Sequence, residues 1–293
     1  MTRSATRSLA TYASFVRFSH SVFALPFALT GALLALHRIG DWSAANVGWR
    51  VLWIVVAMVA ARSAAMGFNR LADARYDALN PRTASREIPR GAMTRAEALV
   101  FVLVSSGVFI FAAWRLSPLC LALSPIALAI VFWYSLAKRF TSYTQLFLGL
   151  AMAVAPVGGW LAAGGRGGWE PWLLGVAIGT WVGGFDVLYA CQDLEFDRGH
   201  GLRSIPVRFG VAQSLVISRA LHVLTILCLA ALAAVADLGP IYLAGVAGVA
   251  VLLAYEQSLV SEHDLSQVKK AFDMNGYVGI LYFVTTAAAI YVR

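Results

Sequence analysis

Asn69, Asp73 and Asp77 recur every four residues, and Asp193 and Asp197 repeat that step further along the chain. On a helix, residues four apart lie one above the other on a single face. Two carboxylates and an amide stacked in this way suit Mg²⁺, which takes one or two carboxylates and leaves positions for substrate phosphates. Arg82, Arg86 and Arg90 follow with the same spacing, and a guanidinium ladder fits diphosphate because each fork can grip two oxygens. One such stretch reads equally well as a charged loop between two membrane helices. The second copy decides the matter. Ile205-Pro206 before Gly210 echoes Ile88-Pro89 before Gly91, and two acidic loops on one membrane face imply a site built between them, with a metal held on each side.

The elements that must carry these residues are membrane helices. The chain has 293 residues, 60% hydrophobic and only 13% charged, against roughly a quarter charged in soluble domains. Apolar stretches of about 20 residues recur, long enough to span a hydrocarbon core of about 30 Å. Nine spans are expected, near 16–37, 51–68, 96–114, 117–137, 144–163, 171–191, 212–235, 239–257 and 275–292. No signal peptide is expected, because Met1 to Ser14 is largely polar and the first apolar run is a full span without a cleavage site. With the N-terminus in the cytoplasm, the inner segments hold 16 Lys and Arg and the outer segments 5, which the positive-inside rule requires. The net charge of +8 therefore reflects membrane orientation, and no nucleic-acid partner is expected. Cys120, Cys191 and Cys228 show no pairing or metal-ligand spacing and read as small apolar residues.

Further candidates lie on the spans. Arg17 is either a snorkelling flank or an arm reaching a diphosphate. Arg62 precedes Asn69 by seven residues and Asp73 by eleven, and Asp186 stands at the same offsets before Asp193 and Asp197. Charges so deep in apolar spans are costly, so both are expected to line a polar cavity, with each other as reasonable partners. Tyr134 and Ser135 come one turn before Lys138 and Arg139, which act as topology signals or close the cavity mouth over a phosphate. Tyr189 shares a stretch with Asp186. Arg203 and Arg208 follow the second motif as Arg82 and Arg86 follow the first. Residues 144–163 are rich in Gly and Ala, which lets helices pack closely. The motifs follow spans two and six, so the two units share one orientation, a parallel repeat around a central cavity. One domain over residues 1–293 is expected.

These residues resemble the UbiA superfamily of intramembrane prenyltransferases. The likeness rests on Asn69-x3-Asp73-x3-Asp77, Arg82-Thr83-x2-Arg86, Tyr134-Ser135-x2-Lys138-Arg139 and Asp186-x2-Tyr189-x3-Asp193-x3-Asp197. It implies Mg²⁺ held by Asn69, Asp73 and Asp77 and by Asp193 and Asp197 on a polyprenyl diphosphate, with Arg17, Lys138 and the motif-loop arginines nearby. The branch it is most similar to is that of 4-hydroxybenzoate polyprenyltransferases in ubiquinone and menaquinone biosynthesis, in the bacterial inner membrane with the site facing the cytoplasm. That branch includes relatives acting on 1,4-dihydroxy-6-naphthoate in the futalosine route. Arg17-Phe18-Ser19-His20-Ser21 departs from the Arg-x-Asp-Lys-Pro pattern of better-known 4-hydroxybenzoate enzymes, so the aromatic acceptor stays open. Phe68, Tyr134, Phe185 and Tyr189 are candidates to face an allylic cation, and Asp186 to take the ring proton. The rival from another class is a secondary transporter, whose acids belong near the bilayer midplane rather than at its surface. A CDP-alcohol phosphotransferase needs a single Asp-x2-Asp-Gly-x2-Ala-Arg run, which is absent.

Overall fold

Apolar segments that cross a bilayer must satisfy their own backbone, so only helices or closed barrels serve. The computed structural model describes Thr11, Phe15 and residues 25–292, and among them there is no strand. In chain order the helices are α1 (Leu25–Ile39), α2 (Ala44–Leu79), α3 (Arg95–Leu116), α4 (Pro118–Ala137), α5 (Thr144–Ala162) and α6 (Glu170–Ala190). A 3₁₀ turn (Cys191–Asp193) then leads to α7 (Leu194–Gly199), α8 (Ile205–Val235), α9 (Pro240–Ser258) and α10 (Val268–Tyr291). Among the described residues, eight helices are long and apolar enough to cross a membrane, counting α6 with its continuation through α7. The shorter apolar α1 has 15 residues.

The expected spans from 51 onward each fall on one helix, and the differences lie at the ends. α2 begins at Ala44 and runs unbroken to Leu79, so Asn69, Asp73 and Asp77 ride on the continuation of a membrane helix. Asn80-Pro81 stops it, because proline excludes the helical region for the residue before it. The Thr83 hydroxyl donates to the Asp77 carbonyl at 3.2 Å, satisfying one of the acceptors left open at the helix end. α8 also begins early. Ser204 caps it by accepting from the Val207 N–H, and Pro206 fits the first turn. Gly210, at φ 79°, then breaks the helical path. Gly91 has φ 73°, so the echoed glycines of the two motifs both occupy a region that favours glycine.

The chain packs as two compact units, one formed by residues 52–136 with Thr11 and Phe15, the other by 25–51 and 137–292. In the first, Trp53 meets Phe111 edge-on at 5.5 Å and Phe68 lies 4.6 Å from Phe132, which fastens α2 to α3 and α4. Phe15, Met93 and Ala98 are buried together against Leu71, Ile88 and Phe101. Thr94 and Glu97 close a capping box at the start of α3.

In the second unit α6 is the hub. It packs along α5 and α8, α5 lies on α1, and α9 joins α8 to α10, which returns to α1 and α6. The small residues of α5 have the role their composition implied: a Cβ at Gly149 would collide with the Gly179 carbonyl, and one at Gly159 with that of Ala28. Two buried polar contacts join helices of this unit. Trp181 Nε1 donates to Asn275 Oδ1 at 2.8 Å, and the Tyr242 and Tyr282 hydroxyls lie 3.0 Å apart. Cys191 and Cys228 are buried. Gly159→Ala is expected to lower stability by about 1–3 kcal/mol through overpacking. Gly158→Ala, with open space around its Cβ, is expected to leave the thermal unfolding curve in detergent unchanged; equal curves for the two variants would contradict this packing.

Candidate active site

The first set of site residues belongs to the unit containing most of α2. Asn69 and Asp73 are partly buried one turn apart, and Asn69 Nδ2 donates to Asp73 Oδ2 at 3.2 Å and to Ser135 Oγ at 3.4 Å. Ser135 at the end of α4 is thus brought to the motif, with Tyr134 beside it in sequence. Asp77 is 6% exposed, and both its oxygens accept from Arg86 Nη1, at 2.7 and 2.8 Å. Asn69 and Asp73 are therefore in direct contact, amide nitrogen to carboxylate oxygen, while Asp77 is engaged by an arginine that the spacing assigned to diphosphate. Arg82 is exposed on the turn after α2, where its N–H bonds to Asn80 Oδ1. Arg62, two turns before Asn69, is half-buried, and its Nε has no hydrogen-bond partner among the described residues. Arg70 and Glu87 form a buried ion pair at 3.6 Å. Glu87, a lone acid in an arginine-rich loop, carries no spacing signal that marks it.

The second set belongs to the other unit. Asp186 and Tyr189 are half-buried near the end of α6. Tyr189 lies 4.9 Å from Phe272, and the run continues through Phe185, Trp181 and Phe27. The helix tightens into a 3₁₀ turn at Cys191–Asp193, so Asp193 and Asp197 do not ride one continuous α-helix as the first motif does. They are 8% and 1% exposed. Lys138 Nζ stands 3.5 Å from Asp197 Oδ2, and the charges of Lys138, Asp193 and Asp197 all reach Asp186. Arg203 stitches its loop to the chain after α4: its N–H donates to the Lys138 carbonyl at 2.8 Å and its Nη1 to the Phe140 carbonyl at 2.7 Å. Arg139 is half-buried beside Lys138. Arg208 lies over the Tyr143 and Phe209 rings at 5.3 and 5.1 Å. Arg17 lies outside the described residues.

Among the described residues, no three His, Cys, Asp or Glu side chains form a ready metal cage. What each set offers is hard oxygen, the Asn69 amide and Asp73 carboxylate in one and the Asp193 and Asp197 carboxylates in the other. Mg²⁺ is bound through one or two carboxylates plus substrate phosphate, whereas structural zinc wants four nitrogen or sulfur ligands. The residues fit magnesium.

The family model described as the UbiA prenyltransferase family matches residues 24–281. The chain belongs to that family. It is an integral membrane prenyltransferase, and a transporter is set aside. A similar relative is the 4-hydroxybenzoate octaprenyltransferase of Vibrio campbellii, 32% identical over 237 residues, which cover 80% of this chain and 83% of that one. Among solved structures, a UbiA homolog from Aeropyrum pernix superposes with a TM-score of 0.83 at 33% identity, over 92% of this chain and 98% of its own. A UbiA homolog from Archaeoglobus fulgidus, bound to DMAPP and Mg²⁺, shares the fold with a TM-score of 0.70 at 18% identity, over 97% of this chain and 100% of its own.

Proposed function

We propose that this UbiA-family chain transfers a polyprenyl group from polyprenyl diphosphate to a ring carbon of an aromatic acid of the 4-hydroxybenzoate type, using Mg²⁺, in quinone biosynthesis. The observation that carries the reading is the pairing of oxygen ligands with phosphate-type cations: Lys138 beside Asp197 and Arg86 on Asp77, eight residues after Asn69 on the same helix. The bacterial relatives named for 4-hydroxybenzoate support the acceptor. The distribution of Lys and Arg supports a cytoplasm-facing site in the inner membrane.

Asn69 and Asp73, with Asp77, would hold one Mg²⁺, and Asp193 and Asp197 a second. Bound magnesium supplies charge stabilisation to the departing diphosphate. Arg82 and Arg86 in the first set and Lys138 in the second are donors of the kind that stabilise negative charge as it develops on diphosphate. The carbon–oxygen bond to diphosphate breaks and leaves an allylic cation. Tyr189 and Phe185 offer ring faces to it, an attraction of about 2 kcal/mol or more when desolvated. The aromatic ring then forms the new carbon–carbon bond and its displaced proton passes to Asp186. Arg62 holds the acceptor's carboxylate.

A second acceptor, 1,4-dihydroxy-6-naphthoate, is favoured by the departure of residues 17–21 from the 4-hydroxybenzoate pattern. Membranes containing the chain, given one labelled prenyl diphosphate and a panel of aromatic acids, separate the readings. Ring-prenylated 4-hydroxybenzoate carrying the labelled prenyl group is the expected product, with diphosphate released. Product from the naphthoate alone would transfer the assignment to the second acceptor, and none from any acid would overturn both.

A further inference from the structure

The loop after α2 meets that helix through two adjacent residues of opposite charge. Arg86 binds Asp77 and Glu87 pairs with Arg70. Arg70, Ala74 and Asp77 form one buried stripe along α2. At about 1.5 Å of rise per residue, the two anchoring charges stand about 10 Å apart along it. The order of charges fixes the polarity of docking, since a reversed loop would set Glu87 on Asp77 and Arg86 on Arg70.

Glu87 also organises the turn that follows. Its carbonyl accepts from the N–H groups of Ala92 at 2.9 Å and Met93 at 3.2 Å, and Met93 is buried with Phe15 and Ala98. The two ion pairs differ in access to water. The side chains of Arg70 and Glu87 are 4% and 6% exposed, while that of Arg86 is 21% exposed. An ion pair shielded from solvent keeps its geometry, because breaking it strands a buried charge. The half-exposed pair is the one a charged ligand can compete for.

We propose that Arg70 and Glu87 are positioning residues for the reaction: their buried ion pair pins the 80–93 loop so that Arg86 stays over the carboxylate end of α2, ready for the diphosphate. Neither residue touches substrate. The assignment rests on the function proposed above, and it adds that donor binding depends on a pair of charges away from the phosphates.

The test uses the full chain in lipid nanodiscs, with hydrogen exchange of residues 80–93 and steady-state kinetics on each substrate. Glu87→Gln keeps the size of the side chain and removes its charge. It is expected to speed exchange at Ala92 and Met93 and to raise KM for prenyl diphosphate about tenfold, with acceptor KM within about twofold of wild type. Arg86→Ala is expected to raise the same KM and leave exchange at Ala92 and Met93 unchanged. The swap Arg70→Glu/Glu87→Arg is expected to recover part of the protection lost in Glu87→Gln. Unchanged exchange in Glu87→Gln would overturn the proposal, as would equal rises in both KM values, the mark of a merely structural pair. If the wild type consumes no prenyl diphosphate, the proposed function falls, and the exchange data still decide whether the pair pins the loop.

Discussion

Asp73→Ala and Asp193→Ala are each expected to abolish turnover, by about 10³-fold or more, while the protein stays inserted and folded. Asp73 accepts from the Asn69 amide, and Asp193, on the tightened turn after α6, precedes the nearly inaccessible Asp197. Among the described residues neither belongs to an apolar core cluster, so helical content and melting should match wild type. Activity measured beside circular dichroism checks this. Substantial turnover in either variant would count against the metal role of its motif.

Lys138→Met is expected to raise KM for prenyl diphosphate by about ten- to a hundredfold, the range of one charge-assisted hydrogen bond of about 1.5–3 kcal/mol. Acceptor KM should change little, because Lys138 stands against the metal-type carboxylate Asp197 rather than beside the aromatic run of Tyr189 and Phe272. Kinetics with each substrate varied in turn separate the two effects. A selective rise in acceptor KM would mean that donor and acceptor have been placed the wrong way round.

The helices from 51 onward were legible because an apolar run of that length has few alternatives in lipid. The far end of α2 was not, since hydropathy falls at Asn69 while the backbone has no reason to stop before Asn80-Pro81. Length of apolar run marks the span, and the proline marks the helix. The second motif looks like the first in spacing, yet its backbone tightens at Cys191–Asp193 and α7 lasts only six residues before Gly201 turns at φ 68°. Spacing gave the residue types without the local path.

Tertiary partners were the least readable. Arg203 was recognisable as a loop arginine, but its acceptor is the carbonyl of Phe140, far away in the chain, and no periodicity links them. Arg86 fell on an arginine ladder, and nothing in that spacing showed that it folds back onto Asp77. Glu87 carried no signal at all, although its ion pair with Arg70 is the most buried in the motif loop. The Asn69–Ser135 contact lay closer to reach, because both residues belonged to stretches singled out for polar chemistry at helix ends.

Divalent-metal-dependent prenyl transfer to an aromatic acid can be followed in a single turnover. Purified protein in nanodiscs, stripped with EDTA, is mixed with labelled prenyl diphosphate and 4-hydroxybenzoate. Ring-prenylated acid and free diphosphate are expected to appear together only after Mg²⁺ is restored. Product formed in excess EDTA, or diphosphate released with Mg²⁺ present and no prenylated acid, would contradict it.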